Sequence, residues 1–140
     1  MANNYTRSSS MLAISEDQHA QAQAIIDEFM QQFDEDDTVQ DAYADVLYCD
    51  IQVELEPGGV WIYGEESFDV DQAACLAQML VDGLEIDEPF IFSWAYTCSK
   101  MRIDEFSGGA CLVRKGLPYE VIDARNYMEQ LATTQKNENQ

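Results

Sequence analysis

Apolar residues at Ala22, Ile25, Ile26, Phe29, Met30 and Phe33 follow the spacing of a single helical face. Just upstream, Ser15-Glu-Asp-Gln18 has the form of a capping box, with Ser15 as N-cap and Gln18 at the third helical position. Together they predict a helix over 16–33. The period then changes to two. Cys49, Ile51, Val53 and Leu55 point one way, and Tyr48, Asp50, Gln52, Glu54 and Glu56 the other. Pro57-Gly58-Gly59 predicts a turn, and Val60-Trp-Ile-Tyr63 the returning arm of a hairpin.

A second cap, Asp69 with Gln72, precedes the helical stripe Ala73, Leu76, Ala77, Leu80, Val81 and Leu84, with Gly83 as its expected stop. The run Phe90 to Thr97 is the strongest strand of the chain. It is apolar on both faces, which predicts a central position. Ser99 to Phe106 reads as a loop, Gly108 to Arg114 as a strand, and Tyr119 to Ile122 as a short last strand. Asp123 is placed to cap a closing helix with Tyr127, Met128 and Leu131 on one side. The order α-β-β-α-β-β-(β)-α predicts an α+β fold: an antiparallel sheet of four to five strands with two or three helices, mainly on one face. Residues 1–13 are polar and expected to be flexible, 14–132 to form one domain, and 133–140 a disordered tail.

With 140 residues, 46% of them apolar, one core is within reach and charge-driven disorder is disfavoured. No apolar run is long enough to span a membrane. The start of the chain has no apolar segment of the secretory type, so the expected compartment is the cytoplasm.

Charge changes this picture most. Twenty-seven acids face seven Lys and Arg, a net charge of −20, and no Lys or Arg lies between Arg7 and Lys100. A one-sign surface repels itself and destabilises the compact state, so a basic partner is the simplest compensation. The cluster Asp34-Glu35-Asp36-Asp37 falls at the expected C-terminus of the first helix, where the dipole already presents negative charge. Local rules broken without structural gain often mark function. Direct nucleic-acid binding is disfavoured, because phosphate contact requires clustered Lys and Arg.

Catalysis is hard to assemble. The only histidine, His19, opens the first helix, and a Cys98–His19 nucleophile pair has no local support. Close carboxylate pairs are too abundant for any one to imply acid–base chemistry. Cys49, Cys75, Cys98 and Cys111 lack paired spacing and read as buried free thiols; a zinc site is the weaker alternative. Asp34 to Asp45 has the length of a calcium loop but carries Val39 where glycine is required and Asp45 in place of the final glutamate. This leaves weak divalent-cation binding as its only metal chemistry. No catalytic residue, cofactor or dedicated metal site is expected.

Several acidic rows are needed to imitate a nucleic acid. B-DNA carries about one charge per 1.7 Å of axis, whereas one strand face offers an acid at best every ~6.7 Å. The rows available are Asp34, Glu35, Asp36 and Asp37; Asp41 and Asp45; Asp50, Glu54 and Glu56; and Glu65 and Glu66.

In size, in its Lys/Arg-free interval 8–99 and in these rows, the chain resembles the small acidic inhibitors carried by phages and mobile elements, including anti-restriction and anti-CRISPR proteins. Some of these act as DNA mimics. The segment Phe92-Ser-Trp-Ala-Tyr-Thr-Cys-Ser-Lys100, continuing to Arg102-Ile-Asp-Glu-Phe106, is similar to uncharacterised phage and mobile-element proteins. The resemblance implies a non-enzymatic inhibitor whose acids occupy the nucleic-acid site of a host defence complex. Lys100, Arg102, Arg114, Lys115 and Arg125 depart from it, either pairing within the fold or marking an edge of the contact. Two rivals stand beside it: an adaptor with an aromatic contact at Trp61, Tyr63, Trp94 or Tyr96, and acidity serving only solubility in a salty cytosol. The sequence leaves the oligomeric state open, a dimer included.

Overall fold

The computed structural model describes residues 4–33, 49–98, 101 and 107–138, with side chains described through Thr134. Among them, six strands form one antiparallel sheet: β1 (Asn4–Ala13), β2 (Gln52–Glu56), β3 (Gly59–Gly64), β4 (Phe90–Cys98), β5 (Ser107–Arg114) and β6 (Leu117–Asp123). Three helices accompany it: α1 (His19–Gln31), preceded by a single 3-10 turn over Glu16–Gln18, α2 (Val70–Gly83) and α3 (Ala124–Glu138). The class is α+β as expected, but the sheet has six strands rather than four to five, and the order is β-α-β-β-α-β-β-β-α.

The added strand is β1, formed by residues expected to be flexible. The sheet runs β2-β3-β1-β4-β5-β6, so this strand is central. Ser8–Ala13 pair with Gly64–Gly59 of β3, and Asn4–Arg7 pair with Cys98–Ala95 of β4. One partner ladder therefore ends where the other begins. The Ser8 hydroxyl bridges the changeover by donating to the Ser93 carbonyl at 2.6 Å. Its sequence, Asn4-Tyr-Thr-Arg-Ser-Ser-Ser10, lacks the apolar alternation that advertises a strand, and only Leu12 is fully buried. Backbone pairing, to β4 along its first part and to β3 along its second, replaces side-chain burial here.

The two long caps act as read. Gln18 accepts from the Ser15 amide at 3.1 Å, and Asp69 accepts from the Gln72 amide at 3.0 Å. Gly83, expected as the stop of α2, is instead its last helical residue. The stop is a Schellman motif in which Ile86 donates to Val81 (2.9 Å) and Glu85 to Asp82 (3.3 Å), with Glu85 at φ 53°. Two side chains finish the end of α2: Gln21 of α1 donates to the Gly83 carbonyl (2.8 Å) and Gln18 of the preceding 3-10 turn to that of Leu84 (3.1 Å).

Alternation sets the core. Val60, Ile62, Phe90, Phe92, Trp94, Cys111 and Val113 point to one face of the sheet, where they meet Ala22, Ile26 and Phe29 of α1 and Leu76, Ala77 and Leu80 of α2. Gly109 is required here: a Cβ would stand 2.3 Å from the Ile122 carbonyl oxygen and 2.5 Å from the Trp94 indole. The other face has no helix over it among the described residues. Ile91, Ser93 and Ala95 of β4 are exposed on it, so this strand is central in order but open on one side, against the expectation from its apolar run. The closing helix starts as predicted, with Asp123 accepting from the Asn126 amide at 3.2 Å, and continues to Glu138 through the residues expected to form a tail.

Candidate functional site

The outward positions of β2, β3 and β1 carry the side chains that define a site. Cross-strand neighbours place Glu54 opposite Trp61 and Trp61 opposite Met11; Gln52 lies opposite Tyr63, and Tyr63 opposite Ser9. Trp61 and Tyr63, two residues apart on one strand, stack with ring centroids 3.9 Å apart and planes 20° from parallel. The indole N–H of Trp61 donates to Ser9 Oγ at 2.8 Å, which fixes the ring. Partial burial first, then a hydrogen bond to Glu54 and the charges of Glu54 and Glu56, hold the Tyr63 phenol above its ordinary range. The pair is thus a rigid aromatic shelf with carboxylates at its side.

Beside the shelf the sheet opens into a cleft of about 480 Å³, lined by Arg7, Ser9, Trp61, Tyr63, Glu65, Ser93 and Ala95. Its floor is the changeover of β1 between partners, where small residues leave a shallow trough. The guanidinium of Arg7 lies 5.3 Å from the centroid of the Tyr5 ring.

Of the eleven acids expected to engage a partner, the structure brings Glu54, Glu56 and Glu65 around this shelf. Asp50 and Glu66 meet elsewhere, in a second cleft of about 430 Å³ that also includes Thr6, Ser67 and Tyr96. Asp50 is committed to the fold. Its carboxylate accepts from the Ser67 hydroxyl, its amide donates to Gln72 (2.7 Å), and its carbonyl accepts from the Asp69 amide (3.1 Å). Asp34, Glu35, Asp36, Asp37, Asp41 and Asp45 lie outside the described residues, as does the segment tested as a calcium loop.

The aromatic candidates divide. Trp61 and Tyr63 are on the open face, whereas Trp94 is buried among the core residues and Tyr96 is half-buried against the same core. Sequence reading missed Arg7 and Ser9 because it missed the strand that carries them; no apolar alternation marks it.

The expected set of buried thiols is corrected as well. All four cysteines are free, but only Cys111 is fully buried; Cys75 is exposed on α2, and Cys49 and Cys98 are intermediate. Burial, reinforced by Asp71, pushes the Cys111 thiol up to about 11. Cys98 pairs with Asn4 at one end of β1, while His19 follows the other end, about 30 Å of strand away. The pair therefore does not form. Among the described residues no group of three or more His, Cys, Asp or Glu side chains is placed to hold a metal ion.

Three of the late basic residues pair within the fold, while Lys100 and Arg102 lie outside the described residues. Arg114 meets Glu120 at 3.0 Å, Arg125 meets Glu129 at 3.3 Å, and Lys115 meets Asp87. These are exposed pairs of small energetic weight, but they remove their cations from the count available to balance the acids.

What these features define is an acidic α+β domain whose open sheet face carries an aromatic shelf edged with carboxylates. No family model, curated protein or solved structure matches the chain. No helix among the described residues is long and apolar enough to cross a membrane.

Proposed function

We propose that this chain is a non-enzymatic, cytoplasmic binding protein that inhibits a basic nucleic-acid-binding protein or complex, of the restriction or CRISPR kind, by covering its Lys/Arg groove. One observation carries the reading: on the open face, Glu54, Glu56 and Glu65 surround the stacked Trp61–Tyr63 pair, on a body with a net charge of −20. Carboxylates steer a cationic surface and fix its register. A rigid aromatic pair at the centre supplies the apolar contact that a purely electrostatic encounter lacks, since aromatic residues dominate interface hot spots. Arginine side chains of the partner suit both, as they pair with carboxylates and stack on ring faces.

The rival reading, an adaptor held by aromatic contact alone, draws on the same shelf and differs in salt response. The test is capture from nuclease-treated bacterial lysate, elution in rising salt, and competition of the captured protein with duplex DNA. The expected result is a nucleic-acid-binding protein that elutes at moderate salt and that DNA displaces. Reversing Glu54, Glu56 and Glu65 to Lys should abolish capture, and Trp61→Ala should weaken it by about 30-fold, the size of a ~2 kcal/mol hot spot. Binding that survives high salt and the triple reversal would favour the adaptor and overturn inhibition by charge mimicry.

A further inference from the structure

Among the described residues, the closing helix contributes none to the core. Ala124, Tyr127, Met128 and Leu131 recur at the spacing of one helical face. Such a stripe normally faces a core, yet residues 124–134 of α3 are all exposed, including Tyr127 (44%), Met128 (62%) and Leu131 (41%). The neighbouring edge strand β6 also shows Leu117, Val121 and Ile122 to solvent. The helix touches the sheet mainly along β5 and β6, and most helical stability comes from packing an apolar face, so its exposed stripe calls for a partner.

Charge identifies the partner. Residues 1–99 hold 21 acids and one cation, whereas residues 100–140 hold six of each, so the first part carries the whole −20 and the last part is neutral. On α3 Arg125 is balanced by Glu129 and on the edge strands Arg114 by Glu120, while Lys115 at the β5–β6 turn is held by Asp87. A basic protein gains nothing from this end and is drawn to the other. Two copies of a −20 chain repel least along α3, where the charges are balanced. At physiological salt the screening length is about 8 Å, which confines most of that repulsion to the acidic bodies when the neutral ends meet.

We propose that the chain forms a two-fold homodimer in which the Tyr127–Met128–Leu131 stripes of the two α3 helices pack on one another, flanked by the edge strands β6. A two-fold contact buries the same patch on both copies and closes the assembly. It also leaves the two acidic aromatic shelves free, so the partner-binding face is presented twice.

Sedimentation equilibrium of the full chain tests this over about 1–200 µM protein and about 0.05–1 M salt. The expected mass rises from 15.9 kDa to twice that value, and the association tightens as salt rises, because screening removes repulsion between the bodies. Met128→Glu and Leu131→Glu alter exposed positions and so retain the monomer fold. Each should weaken the dimer by at least about tenfold, and far-UV helicity should fall as the wild-type protein is diluted. A wild-type chain that stays monomeric throughout, or a dimer unaffected by both variants, overturns the proposal. So does a dimer lost on reversing Glu54, Glu56 and Glu65 but retained in the α3 variants, since it would place the contact on the open sheet face.

Discussion

Glu85 occupies the left-handed position that ends α2, at φ 53°, where the Schellman motif usually places glycine. A left-handed backbone costs a residue with a Cβ about 1–2 kcal/mol, and glycine's extra freedom in the unfolded chain takes back about 0.4–1 kcal/mol. Glu85→Gly therefore gains about 0.5–1 kcal/mol from the backbone. The substitution also removes a carboxylate from the negative end of a helix dipole, an effect of about 0.3–1 kcal/mol, partly offset by the attraction between Glu85 and Lys115. Glu85→Ala separates the two contributions, because alanine loses the charge but keeps the Cβ. The expected order of stability is Gly above Ala, with Ala equal to or slightly above wild type. Urea unfolding followed by far-UV circular dichroism reads the difference, and Tm should rise by about 4 °C per kcal/mol in a domain of this size. The comparison should be made at a fixed protein concentration, since dimerisation adds to apparent stability. Glycine no more stable than alanine would refute the strain argument and mean that this backbone conformation is not retained in solution.

Two further outcomes follow from burial. Cys111 ionises at about 11 in the fold against an ordinary 9.0, and Tyr63 and Tyr119 are also raised above 10.0. All three favour the neutral form when folded, so their stabilisation is complete below pH 9 and falls as pH climbs towards 11. The urea midpoint should decline over that window, and a flat profile would contradict the burial of Cys111. Phe29 is 1% exposed on α1, and Phe29→Ala should cost about 3–5 kcal/mol. Met11→Ala, on the open face, should stay within about 0.5 kcal/mol by the same denaturation; equal losses at the two sites would show that the core is misplaced.

The legible parts of the chain were those where a side-chain pattern and a backbone requirement coincide. Ser15 with Gln18 and Asp69 with Gln72 announced both long helices because each cap side chain satisfies a backbone amide by itself. Leu55-Glu-Pro-Gly-Gly-Val60 announced the hairpin for a similar reason, since its turn chemistry and alternation agree. The first strand did not announce itself, because its place in the sheet rests on two long-range ladders rather than on buried side chains. For the candidate site, Glu54, Glu56, Glu65, Trp61 and Tyr63 were readable as period-two positions or their continuation. The convergence of Trp61, Tyr63 and Glu65 on one cleft with Arg7 and Ser9 depends on that hidden strand. Asp50 shows the converse limit: composition does not distinguish a carboxylate offered to a partner from one tied to Ser67.

The changeover of β1 also bears on how the protein is made. The strand leaves the ribosome before both of its partners: one ladder needs residues 59–64 and the other needs residues as late as Cys98. The bond from Ser8 to Ser93 closes a loop of 85 residues. Until then its backbone donors and acceptors are unpaired, the condition in which nascent strands attach to one another. A run of Thr, Arg and three Ser residues is well suited to that interval: it is hydrated, carries a positive charge and offers a neighbouring chain no apolar face. The composition that conceals this strand from a hydrophobic pattern is the same one that keeps it soluble while it waits to join the two halves of the sheet.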